Sequence, residues 1–148
     1  MVADEFESLI YTSSAMVEFT LASVDALALK SATSNARQAV TGYMGFHDGR
    51  FVQYLEGTPD GLDQVYERIR NDERHRIDFE QRLPVTSRRF PAWFMEHLRL
   101  GGAREHEAEV EAVLVAAIGT PPSESQALES TLGKLVDRVG LMYLAALT

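Results

Sequence analysis

The stretch AVTGYMGFHDGRFVQYLEG, residues 39–57, consists of two apolar-rich runs on either side of an Asp48-Gly49 pair. Asp-Gly between two strand-like runs is a strong signal for a two-residue hairpin, because both central residues of such a turn take positive φ. The turn sets the register: Phe46 faces Phe51, Met44 faces Gln53 and Tyr43 faces Tyr54. Alternation along the second strand then sends Phe51, Gln53 and Leu55 to one face and Val52 and Tyr54 to the other. A glutamine between two large apolar neighbours is the feature that needs explaining.

Working outward, SLIYTSS at residues 8–14 alternates so that Leu9, Tyr11 and Ser13 share a face and Ile10 and Thr12 share the other, which predicts a strand. From about Ser23 the spacing turns helical, with Val24, Leu27, Ala28, Ser31 and Asn35 on one stripe. Ser23 is the expected N-cap, with Asp25 in the first turn. After the hairpin, Thr58-Pro59 supplies an N-cap and an N1 proline, and Leu62, Val65, Tyr66 and Ile69 form the stripe of a second helix that RNDERH closes. Two more strands are expected at about residues 76–86 and 93–100, bounded by Pro84 and Pro91. The order β-α-β-β-α-β plus one strand is an α+β, ferredoxin-like sheet with two helices on one face. In that topology the first and third strands are central neighbours, so Tyr11 meets Gln53.

After Gly101-Gly102 the pattern changes to Val110, Val113, Leu114, Ala117 and Ile118, a breaker GTPPSES, then Leu128, Leu132, Leu135, Val136, Val139 and Tyr143. That spacing predicts a two-helix amphipathic extension, and the chain divides into residues 6–100 and 103–147. The sheet face carrying Ile10, Tyr43, Val52 and Tyr54 is also apolar and needs a cover, either the tail helices or a second subunit.

The chain has 148 residues, no cysteine and a net charge of −8. Structural disulfides, thiolate metal sites and cysteine nucleophiles are excluded together, and the negative charge repels nucleic acid and anionic lipid. The one basic cluster, Arg82 with Arg88 and Arg89, reads as a solvated strand edge. The N-terminus has neither the basic nor the apolar region of a signal peptide, and no apolar run is long enough to span a bilayer, so a cytoplasmic protein is expected. His47, His97 and His106 show no metal-ligand spacing, and Met16, Met44 and Met142 read as packing.

Leaving a polar group of a buried glutamine unpaired costs about 1–3 kcal/mol, so Gln53 requires partners. Tyr11, Ser31, Asn35, Arg74 and His75 are available, around an apolar slot lined by Leu27, Phe51 and Ile69. Two readings stand side by side: a buried Tyr–Gln pair of purely structural use, and a site for a flat aromatic heterocycle.

Tyr11-Thr-Ser13, Asn35 followed by Thr41-Gly42, Gly49-x-Phe51-x-Gln53-x-Leu55-Glu56-Gly57, Asp72-Glu-Arg74-His75 and Arg89-Phe90-x-x-Trp93-x-Met95 occur in series. Together they resemble the BLUF domain, the flavin-based blue-light sensors, over about residues 6 to 100. The resemblance implies a non-covalent FAD, with FMN or riboflavin as the other flavins it allows. It makes Tyr11 the electron and proton donor and Gln53 the amide that light rearranges. Asn35, Arg74 and His75 match polar contacts to the ring, and Trp93 and Met95 match the pair that relays the change. Ser34 and Phe94 depart from residues common in the family.

The reading is a photoreceptor without enzyme activity and without a metal, whose output passes through the tail to an unidentified signalling protein, with homo-oligomerisation through the tail. No cyclase or phosphodiesterase domain is expected after residue 100. A ferredoxin-like interaction module without flavin is the alternative, distinguished by being colourless. A flavin-dependent redox enzyme ranks below both.

Overall fold

The computed structural model describes residues 5–102, 104 and 106–147. Along the chain run β1 (Phe6–Ala15), α1 (Leu21–Arg37), β2 (Thr41–His47), β3 (Arg50–Gly57), α2 (Pro59–Arg70), β4 (His75–Val85), β5 (Glu96–Leu98), α3 (Glu107–Ile118) and α4 (Ser125–Ala146). The strands form one sheet in the order β4-β1-β3-β2-β5, the ferredoxin-like arrangement with an added edge strand. β3 runs antiparallel to both β1 and β2, while β5 lies parallel to β2.

The hairpin forms as its sequence dictates. Asp48 and Gly49 both have positive φ, 51° and 74°, and Tyr43, Met44 and Phe46 pair with Tyr54, Gln53 and Phe51. At Gly42 a Cβ would stand 1.8 Å from the Tyr54 carbonyl oxygen, so glycine alone allows the two strands this approach.

The sheet divides two cores. On one face Leu9, Tyr11, Met44, Phe51 and Leu55 pack against Val24 and Ala28 of α1 and Leu62, Val65 and Tyr66 of α2. On the other, Ile10, Tyr43, Val52 and Tyr54 are covered by Val110, Leu114 and Ala117 of α3 and Leu128, Leu132, Leu135 and Val139 of α4. Each fully buried aliphatic side chain there is worth about 1.5–3 kcal/mol. The tail itself therefore closes the second face, the first of the two covers expected.

Four details differ from the sequence reading. α1 begins three residues early, with Thr20 as N-cap; Ser23 is the N3 member of a reciprocal capping box, its hydroxyl accepting from the Thr20 N–H at 2.7 Å. Asp25 is consequently past the first turn and binds His97 Nδ1 of β5 at 2.6 Å and Arg99 just beyond that strand. The last strand shrinks from about residues 93–100 to Glu96–Leu98, because residues 88–94 bond to side chains and to β2 instead of extending a ladder. The basic cluster is a solvated strand edge only in part: Arg82 is exposed on the edge strand β4, where it pairs with Glu7 and Asp63, whereas Arg88 and Arg89 lie past β4 and reach Thr41 and Asp137 of α4. Met16 is 58% exposed, outside any packing. The expected boundary at residue 103 falls outside the described residues.

Candidate functional site

Tyr11 of β1 and Gln53 of β3 are directly opposed across the antiparallel ladder, both on the α1/α2 face. The Tyr11 hydroxyl donates to Gln53 Oε1. Gln53 is buried, and its Nε2 donates to the sulfur of Met95 at 3.5 Å. The amide thus has one strong acceptor bond and one soft N–H···S contact, which leaves hydrogen-bonding capacity on the nitrogen. Burial pushes the Tyr11 phenol far above its ordinary value, with the charges of Tyr66 and Asp72 adding to the shift. Tyr11 is a neutral phenol at any physiological pH.

A slot opens in front of this pair between α1 and α2. Its inner part, about 50 Å³, is lined by Tyr11, Phe19, Leu27, Ser31, Met44, Phe51, Gln53, Ile69, Asp72, Arg74 and His75. An outer part, about 260 Å³, shares Leu27, Ser31, Gln53, Ile69, Asp72 and Arg74 and adds Asn35, Ser34, Lys30 and Arg68. The outer part lies just below the roughly 300–1,000 Å³ typical of ligand pockets, and the inner part is much smaller.

The remaining polar groups are disposed around it. Asn35 is buried and donates from Nδ2 to the Phe94 carbonyl at 2.9 Å, leaving its own side-chain oxygen without a partner among the described residues. His75 has both nitrogens engaged, Nε2 with the Ile69 carbonyl at 2.7 Å and Nδ1 with the Ser13 hydroxyl at 2.8 Å. Since a carbonyl only accepts, Nε2 carries the proton and Nδ1 accepts from Ser13. The His75 ring stands edge-on to Phe51, 6.3 Å between centroids, so it offers the slot ring surface and no free nitrogen. Arg74 is a rim cation, held by Asp72 at 2.6 Å.

The structure brings Tyr11, Leu27, Ser31, Asn35, Phe51, Gln53, Ile69, Arg74 and His75 to one slot. Met95 joins them through Gln53. Trp93 does not: it lies on the far face, stacked on Phe90 at 5.7 Å and edge-on to Tyr143 of α4 at 4.8 Å. Sequence reasoning missed Phe19, Asp72, Lys30 and Arg68 as lining residues and treated Met44 as packing only. Phe19 sits in the β1–α1 loop, where no periodicity signals it.

A family model described as "BLUF: Sensors of blue-light using FAD" matches residues 6–96. The chain belongs to the BLUF family. That description is of a flavin-using blue-light sensor, not of a catalyst. Among curated proteins, a photoactivated adenylate cyclase subunit beta from Euglena gracilis is 33% identical over 86 residues, 57% of this chain. The chain spans about a tenth of that relative's length, as of the similar protein from Euglena longa. Among solved structures, one titled "BlrB - a BLUF protein, dark state structure" superposes with a TM-score of 0.73 at 25% identity, covering 94% of this chain and 98% of that one. A Klebsiella pneumoniae BlrP1 structure with FMN and cyclic diGMP gives a TM-score of 0.57 at 33% identity, over 64% of this chain and 26% of its own. The BLUF match covers all the elements that build the slot. No helix among the described residues is long and apolar enough to cross a membrane.

Proposed function

We propose that the slot between α1 and α2 holds the isoalloxazine of a non-covalently bound FAD and that the chain signals by rearranging the Tyr11–Gln53 hydrogen bonds. The residues fit such a group. Leu27, Phe51 and Ile69 supply flat apolar walls. The Gln53 amide nitrogen and the Asn35 oxygen supply a donor and an acceptor for the carbonyl and N–H edge of the ring. Ser31 adds a hydroxyl, and Arg74 stands at the rim. When bound, the flavin supplies blue-light absorption and a one-electron oxidant in its excited state.

The chain's own part is to deliver and then reset a proton and an electron. Tyr11 is held neutral by burial, with its hydroxyl already donating to Gln53 Oε1. Gln53 can exchange its donor and acceptor ends, by rotation or tautomerisation, without bringing charge into the core. Such an exchange breaks the N–H···S contact with Met95, and Met95 precedes β5 directly. The reading treats residues 6–100 as the light-sensing unit and 103–147 as the output extension, acting through protein contacts in the cytoplasm, with a second copy or a signalling protein as partner. Leu141, Leu144 and Leu147 of the tail remain exposed and are available for such a contact.

The observation that carries this reading is a buried amide only partly satisfied by protein, facing a slot of ring-like chemistry. The test is absorption. The purified protein is expected to be yellow and to shift reversibly to the red after a blue flash; Tyr11→Phe and Gln53→Leu are expected to bind flavin and lose the shift. A colourless protein, or a shift that survives in both variants, refutes the reading.

A further inference from the structure

We propose that Glu56 is a positioning residue that selects Met95, and not Trp93, as the neighbour of Gln53. Glu56 is the next-to-last residue of β3, on the far face, and is fully buried, at 0% exposure. Among the described residues no Lys, Arg or His forms an ion pair with its carboxylate. Instead Oε2 accepts from the Arg89 backbone N–H at 2.9 Å and from the Tyr54 hydroxyl at 3.1 Å. Oε1 accepts from the Phe90 N–H at 2.6 Å and from Thr41 at 3.2 Å. Two successive N–H groups on one carboxylate form a clamp on the segment that leads to Trp93 and Met95, and charge-assisted bonds of this kind are the strong ones.

The clamp matters because of a parity problem. Residues 93 and 95 would point to the same face in a regular strand. Here the backbone at 91–95 is turn and bend, and β5 starts only at Glu96. That irregularity sends Trp93 to the far face and Met95 to Gln53. With its N–H on Glu56, Phe90 is fixed at 0% exposure and its ring forms the platform on which Trp93 stacks, 5.7 Å away and 6° from parallel. Tyr143 of α4 holds the other side, accepting from the Ala92 N–H at 3.1 Å. Removing the clamp frees residues 89–93 to extend β5 along β2, the move that changes which side chain reaches the glutamine.

Trp93 is the protein's single tryptophan, so its emission reports this segment alone. The experiment compares the purified protein with Glu56→Gln and with Tyr54→Phe, reading tryptophan emission, acrylamide quenching and amide hydrogen exchange in the dark. Glu56→Gln puts an amide N–H where an acceptor is needed, whereas Tyr54→Phe removes one donor and leaves both backbone bonds. Glu56→Gln is expected to shift Trp93 emission, alter its quenching and lower protection at amides 89 and 90 about tenfold to a hundredfold; Tyr54→Phe is expected to leave all three unchanged. Equal effects in both variants, or none in a folded Glu56→Gln, overturn the proposal. If Glu56→Gln does not fold, the unmodified protein decides: amides 89 and 90 must exchange as slowly as those of β3, and exchange at loop rates overturns the proposal. The consequence for Gln53 rests on its role as the switching amide, but none of these readouts needs a flavin. A colourless protein would therefore end the receptor reading while leaving the clamp open to the same measurement.

Discussion

Replacing Gly45 by alanine tests whether the tail helices are packed on the sheet as described. Gly45 lies on β2 opposite Val52 and beside Leu98 of β5. A Cβ at this position would meet the two terminal carbons of Leu114 at 2.6 and 2.9 Å. Leu114 is fully buried within the far core, so any shift of its terminal carbons must be absorbed by the side chains packed around it. Overpacking of this kind costs about 1–3 kcal/mol, which for a chain of this size lowers the melting temperature by about 2–12 °C. The contact can be isolated by a double-mutant cycle. Leu114→Ala alone should cost about 2–5 kcal/mol through the cavity it leaves. In the double variant the new methyl occupies part of that cavity, so the combined loss should fall short of the sum by about 0.5–3 kcal/mol. Thermal and urea unfolding followed by far-ultraviolet circular dichroism measure all four corners. Additivity within about 0.5 kcal/mol would show that Gly45 and Leu114 do not touch, and would refute the docking of α3 on this face.

Thr20→Ala removes the α1 N-cap and should cost about 0.5–2 kcal/mol in chemical unfolding, whereas Ser23→Ala, if Ser23 were the cap, would be the costlier change. Asp25→Ala frees His97 and Arg99, so the Leu98 amide should exchange faster while β1 and β3 stay protected. The Arg74 guanidinium holds Asp72 down to about 2 from an ordinary 3.8. A depressed carboxylate stabilises the fold above its unfolded value, and the contribution disappears as pH falls from about 4 to about 2. The pair is half exposed, so the effect is below about 1 kcal/mol. Wild type and Asp72→Asn should accordingly differ in stability near pH 5 and converge near pH 2; a constant difference would contradict the assignment.

Local chemistry made much of the fold legible. Asp48-Gly49 fixed a register that pairs Met44 with Gln53, and helical spacing located α2, α3 and α4, because each of these signals acts within a few residues. The Tyr11–Gln53 pair was legible once the topology was, since a split βαβ unit makes β1 and β3 neighbours. The irregular segment before β5 was not. Its path depends on the carboxylate of Glu56, more than thirty residues earlier, and nothing in residues 86–95 themselves announces that bond. The placement of Trp93 and Met95 on opposite faces has the same origin. Ser23 was mistaken for the cap because both members of a capping box are hydroxyl residues, and their order is set by where the chain leaves β1. For the cover of the far face, an amphipathic stripe states that a partner is needed without saying which; Gly45 beneath Leu114 is the tertiary detail that decides for α3.

The most direct measurement is a dark-state crystal structure of the protein as purified. An isoalloxazine between α1 and α2, with a polar edge within hydrogen-bonding reach of the Gln53 amide nitrogen and the Asn35 oxygen, is the predicted result. A slot filled by the chain's own side chains, with Gln53 fully bonded to protein atoms, would contradict the account.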